Sequence, residues 1–170
     1  MAGCFNSKNV KQKKLFCKHA DCHECTKIML YICCSMKWIM MTKQQHVDYW
    51  VNTAKEDWIT VDILFGTKRY LHALFWAHLV LEKLAKAHWV KNNIENTPPK
   101  IHNLIALLKQ ANVDLGEEKM NFLVNYNNFQ LSTRYPDYLN KLYKVCTKPF
   151  AEVQMAQVKE IRQCLLEMLQ

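Results

Sequence analysis

The sequence predicts an all-α protein, an up-and-down bundle of four to five helices preceded by a poorly structured N-terminal extension. Three observations carry this expectation. Half of the 170 residues are hydrophobic, yet only three are glycine and four proline, a composition that favours helices over turn-rich sheet. From His46 onward the apolar residues recur at spacings of three and four, and no stretch alternates with the period of two that marks a half-buried strand. The third is the stretch from Tyr70 to Trp89, YLHALFWAHLVLEKLAKAHW. At about 100° per residue, Leu71, Leu74, Phe75, Leu81, Ala85 and Trp89 share one broad face, while Trp76 and Val80 make the opposite side partly apolar. A helix apolar on both sides belongs inside a bundle.

Charge and cysteine divide the chain in two, residues 1–40 and 41–170. The net charge is +8. Residues 1–40 hold seven lysines against Asp21 and Glu24, a balance of +5 that leaves only +3 for the rest. A generally basic nucleic-acid surface is therefore not expected on the body. Six of the eight cysteines, Cys4, Cys17, Cys22, Cys25, Cys33 and Cys34, also fall in the first 40 residues. A disulfide framework would tie the folded body instead, so the body reads as reduced and cytoplasmic. The apolar run Ile28 to Met41 is broken by Lys37 and falls short of the roughly 20 residues that span a membrane. It lacks the form of a signal peptide. Met41, followed at once by helical periodicity, is expected to be the natural start, and N-terminal sequencing of the native protein tests this. Cys17, Cys22 and Cys25, with His19 and His23 between them, form the only metal-like cluster, C-x4-C-x2-C. The second Cys-x-x-Cys pair of a firm zinc site is missing, so no metal and no cofactor is expected.

The body divides into elements in order. Residues 46–65 read as an amphipathic first helix with Tyr49, Trp50, Ala54, Trp58, Val61 and Leu64 inward and Lys55, Glu56 and Asp57 on the wet side, stopped at Gly66-Thr67. The short connection sends the second helix, 68–93, back antiparallel. Pro98-Pro99 cannot be helix interior. A third helix runs to Gln110 with Leu104, Ile105, Leu107 and Leu108, and Asp114-Leu115-Gly116 makes a turn. Glu117-Glu118 suits the positive end of a fourth helix reaching about Leu131. Pro136 places residues 132–137 in a loop, with a short helical piece over 138–145. Thr147 as N-cap and Pro149 in the first turn open a last helix to Leu169, with Val153, Ala156, Val158, Ile161, Leu165 and Met168 inward.

The second helix also places charge where a core helix should have none. His78 and Glu82 project into the middle of its apolar face, about 20° either side of the Leu71 and Trp89 direction, with Lys86 at the margin. An unpaired carboxylate there costs several kcal/mol, against roughly 0.2–0.5 kcal/mol gained by an exposed Glu82–Lys86 pair, so Glu82 needs a partner from another helix. Arg134 and His102 are the candidates.

Three segments now resemble one family. AHLVLEKLAKA, Ala77 to Ala87, is similar to the second-helix signature of the HEPN domain family, with His78 where glutamine is usual. PPKIHNLIALL, Pro98 to Leu108, resembles its Pro-x-x-His-x-Leu opening of the third helix, with His102 matching, and Arg134-Tyr135-Pro136-Asp137 looks like its R-Y-P-D loop. The resemblance covers about Val47 to Met168. It implies a dimeric helical bundle, often working beside a small nucleotidyltransferase-like protein. It also brings in the family's toxin ribonucleases, which use Arg-x(4–6)-His at the dimer seam. Here the histidine position falls at Leu139, Asn140 or Lys141, none of which is histidine, and this argues against catalysis.

The expected function is a nucleotide- or RNA-associated binding module with ligand contacts at Glu82, Lys86, Arg134, Tyr135 and Asp137. Two alternatives stand beside it. One is a toxin-antitoxin ribonuclease with a degenerate motif, using Arg134 with Asp137 or His102. The other is a non-catalytic dimeric interaction protein. Each residue has a plainer role: Arg134 as the ion partner of Glu82, Glu82 as a core carboxylate, His102 as a helix-start histidine, His78 as a satisfied core histidine, Lys83 and Lys86 as a solvated flank, and the tryptophans as packing.

Overall fold

The computed structural model describes residues 41–132 and 143–170. The cysteine cluster Cys17, Cys22 and Cys25, the loop residues Arg134, Tyr135 and Asp137, and the positions Leu139, Asn140 and Lys141 lie outside them. Among the described residues there is no strand, and five helices carry the fold: α1 (Lys43–Gly66), α2 (Tyr70–Asn92), α3 (Leu104–Gln110), α4 (Glu117–Ser132) and α5 (Lys148–Glu167).

α1 begins three residues before the expected boundary because of a capping box. The Thr42 hydroxyl accepts from the Gln45 amide at 3.2 Å, and the Gln45 side chain accepts from the Thr42 amide at 2.7 Å, so two otherwise orphaned donors are satisfied reciprocally. Its other end is closed by Lys68, not Gly66. Lys68 takes a left-handed φ of 62°, and the Arg69 amide then reaches back to the Leu64 carbonyl at 2.8 Å. α2 returns antiparallel. Phe65 meets Tyr70, Asp57 pairs with Lys83 at 2.6 Å, and the Lys86 ammonium sits 5.3 Å from the Trp50 ring centre.

α2 is the hub and packs against all four other helices. Fifteen of its residues are buried, so its interior is not one face but nearly the whole circumference. Lys86 is therefore buried rather than marginal, while Phe75 and Trp76 are only half-buried. α5 runs parallel to α2. His88 Nε2 lies 2.9 Å from the Leu165 carbonyl, and Lys91 Nζ donates to the carbonyls of Met168 and Leu169 at 3.0 and 3.1 Å. The turn that follows α5, at Met168 and Leu169, is thus closed by a cation from the hub.

Three expectations about faces are corrected. Tyr49 is 54% exposed and Val153 59% exposed, and Ala156 and Met168 also face outward. The buried stripe of α5 is Ala151, Met155, Val158, Ile161 and Leu165. Two stripes with helical spacing coexist in that segment, and α2 covers only one of them. Asp57 is not on the wet side, because Lys83 draws it into the α1–α2 seam, where its side chain keeps 16% exposure.

α4 is preceded by a turn in which the Asp114 carboxylate accepts from the Gly116 amide at 2.9 Å, with Gly116 at a φ of 84° that a side chain would resist. It docks on α2 through Tyr126, whose buried hydroxyl donates to the Leu74 carbonyl at 2.7 Å. Burial pushes the Tyr126 phenol well above its ordinary value. We expect Tyr126→Phe to cost about 1–2 kcal/mol, since it removes a donor from a buried carbonyl while leaving the ring stack with Phe122 in place. Urea midpoints measure it, and an unchanged midpoint would mean that the hydroxyl bond is not stabilising.

Candidate functional site

The site grows from one row on α2. His78, Glu82 and Lys86 stand at i, i+4 and i+8, one above another. All three are buried, at 0%, 5% and 9% residue exposure. Lys86 Nζ donates to Glu82 Oε1 at 2.7 Å. His102 Nδ1 lies 3.2 Å from Oε1 and 3.1 Å from Oε2 of the same carboxylate. The carboxylate side chain is 7% exposed, while that of His102 is 49% exposed. A buried anion is thus held between a buried ammonium and an imidazole that emerges at the surface. The Lys86 contact, with both groups dry, is charge-assisted and strong.

His102 is delivered by the connection between α2 and α3, which is tied down at its start and at Pro98. Asn92 and Asn93 donate to the carbonyls of Ala111 and Gln110 at 2.7 and 3.1 Å, and Pro98 is buried. Pro98 and Pro99 lie outside any helix, as expected. Asn103 then caps α3, its side-chain oxygen accepting from the Ala106 amide at 3.0 Å.

Two residues that sequence reasoning missed complete the arrangement, Asn103 and Asn127. Asn127 Oδ1 accepts from the Leu104 amide at 3.0 Å and lies 3.4 Å from His78 Nε2, while its amide nitrogen lies 3.3 Å from Asn103 Oδ1. One asparagine on α4 therefore ties the start of α3 to the row on α2. Asparagine in mid-helix carries no periodic signal, although two asparagines each lying beside an apolar run were available clues.

Around the row the aromatics serve packing. Lys86 lies over Trp50, Arg162 sits 4.6 Å from the Trp58 ring centre, and Trp89 Nε1 donates to Gln110 at 3.3 Å. Desolvation holds the Arg162 guanidinium below its ordinary value, with Asp62 opposing. Lys83, an anion-site candidate, is engaged by Asp57. Of the expected site residues, Glu82, Lys86 and His102 meet, and Arg134, Tyr135 and Asp137 fall outside the described residues. Among the described residues, no group of three or more His, Cys, Asp or Glu could hold a metal, and no helix is long and apolar enough to cross a membrane.

The family model of the HEPN domain matches residues 47–169. The chain belongs to the HEPN domain family. The match spans the described bundle from the first turns of α1 to beyond α5, and it contains the whole Glu82, Lys86 and His102 cluster. No curated protein and no solved structure gave a significant match. For this HEPN domain the chemistry of the site therefore rests on its own geometry: a fixed anion, two cationic or proton-bearing neighbours, and one ring that reaches solvent.

Proposed function

We propose that this HEPN domain-containing protein is a nucleotide- or RNA-associated binding module, acting in the cytoplasm as a homodimer beside a small nucleotidyltransferase-like partner and without strong catalysis of its own. The observation that carries the reading is the buried Glu82 carboxylate, ion-paired to Lys86 and joined by half-exposed His102. Burying a carboxylate and an ammonium costs several kcal/mol per ion before their attraction offsets it. Leucines would fill these positions without that cost, and half-exposed His102 gives the buried carboxylate a link to a ligand at the surface. The ligand contacts in this reading are Glu82 and Lys86, with Arg134, Tyr135 and Asp137 from the segment after α4.

Thermal melting with and without nucleotide tests it. A ligand at about 100 times its Kd stabilises the folded state by about 2.7 kcal/mol, so Tm should rise by several degrees and the rise should vanish in Arg134→Ala. No rise with any nucleotide or short RNA would leave a dimeric interaction protein as the reading. One observation favours a second reading, a ribonuclease with a degenerate motif. His102 lies against a carboxylate as a proton-transfer histidine does. RNA cleavage by the purified protein, abolished in Arg134→Ala with the fold intact, would establish that reading over the first.

A further inference from the structure

Glu82 does more to His102 than hold it in place. A carboxylate flanked by an ammonium at 2.7 Å stays an acceptor. The ring nitrogen at 3.1 and 3.2 Å from its two oxygens must then be the one that carries hydrogen. In a neutral imidazole one nitrogen donates and the other accepts, so the proton on Nδ1 leaves Nε2 with a bare lone pair. Nε2 forms no hydrogen bond with any described residue, and the ring is half exposed. The ring is also kept from swinging away, because its neighbour Asn103 is the cap of α3 and is bound to Asn127.

We propose that His102 Nε2 is a preset hydrogen-bond acceptor that sets ligand specificity at this site, taking an O–H or N–H donor of a nucleotide. This rests on the binding reading above and sharpens it. The donor can come from a ribose hydroxyl or from the exocyclic amine of a base. A phosphate oxygen, which is acceptor-only, does not satisfy the neutral ring, so the anionic end of the nucleotide is directed elsewhere. Glu82 is the positioning residue for this contact: whatever its own oxygens touch, it sets specificity through the tautomer of His102.

Nitrogen-resolved NMR of the histidine rings in the full chain, at about pH 8 where imidazole is ordinarily neutral, tests the tautomer first. Wild type should show hydrogen on Nδ1 of His102, and Glu82→Gln, whose amide can donate as well as accept, should lose that preference. Hydrogen on Nε2 in the wild type overturns the proposal without any variant needing to fold. AMP, IMP and 2′-deoxy-AMP are then added as probes. AMP should shift Nε2, and His102→Phe should weaken AMP about tenfold, the size expected when a buried donor loses its acceptor. Loss of the shift with IMP assigns the amine, and its loss with 2′-deoxy-AMP assigns the hydroxyl. AMP binding with Nε2 unmoved, or an equal shift with inorganic phosphate alone, overturns this proposal and leaves the binding reading standing. Failure of all three nucleotides and of a short RNA to bind removes both.

Discussion

Glu82→Ala is expected to destabilise the folded protein by about 3 kcal/mol, in the range found when one member of a buried ion pair is removed. Both partners are well buried, at 7% and 11% side-chain exposure, so solvent does little to screen the attraction. Among the described residues, the variant leaves the Lys86 ammonium with the Trp50 face as company. The His102 contact adds less, because that ring is half exposed. Replacing both charges, Glu82→Leu with Lys86→Met, should behave in the opposite sense. It removes two desolvation penalties at once, and such swaps are often neutral or stabilising by about 1–4 kcal/mol. Guanidinium melts of the single and double variants measure the difference. If the double variant were as unstable as Glu82→Ala, the loss would belong to packing volume and not to an abandoned charge.

Acid should weaken the bundle through His88. Its ring is buried and faces the Leu165 carbonyl at 2.9 Å, an arrangement the neutral ring satisfies by donating from Nε2. Desolvation lowers its pKa from 6.5; the Leu165 hydrogen bond opposes this and the Lys91 charge adds to it. The sign follows from linkage: a folded-state pKa below the unfolded value means that the unfolded chain binds the proton first. Above the unfolded value both states are neutral and the histidine has no effect on the pH dependence. As pH falls below 6.5, stability should be lost at up to about 1.4 kcal/mol per pH unit, levelling off once the folded ring also titrates. His88→Gln keeps an amide donor for Leu165 and cannot titrate. Urea midpoints between about pH 7.5 and 5 should therefore fall less steeply in that variant than in wild type, and parallel slopes would assign the acid response to other groups.

The fold was legible because its central element is also its most biased. A run such as LVLEKLAKAHWV has one reading as secondary structure, and its lack of a polar side marks it as the hub before any contact is known. The stops were legible where chemistry forces them, at Pro98-Pro99 and at Asp114-Leu115-Gly116. The T-x-x-Q of Thr42 and Gln45 was equally visible, and overlooking it put the start of α1 three residues late. What periodicity could not decide is which of two apolar stripes a neighbour covers, and so Val153 and Met168 stood inward in place of Ala151 and Met155. At the site, the need of Glu82 for a partner followed from burial alone, and His102 was one of two named candidates. Asn127 was out of reach, because its role depends on α4 crossing the start of α3, a relation between segments 23 residues apart in the chain.

The row on α2 has a consequence for the uniqueness of the fold. A cylinder coated evenly with leucine and alanine can be turned about its own axis by a residue or so and still find oil on every side. The three polar notches allow one setting, since any other would thrust a carboxylate into hydrocarbon. Their work on this reading is that of a key cut into an otherwise smooth shaft, fixing the angle at which the four surrounding rods can lock.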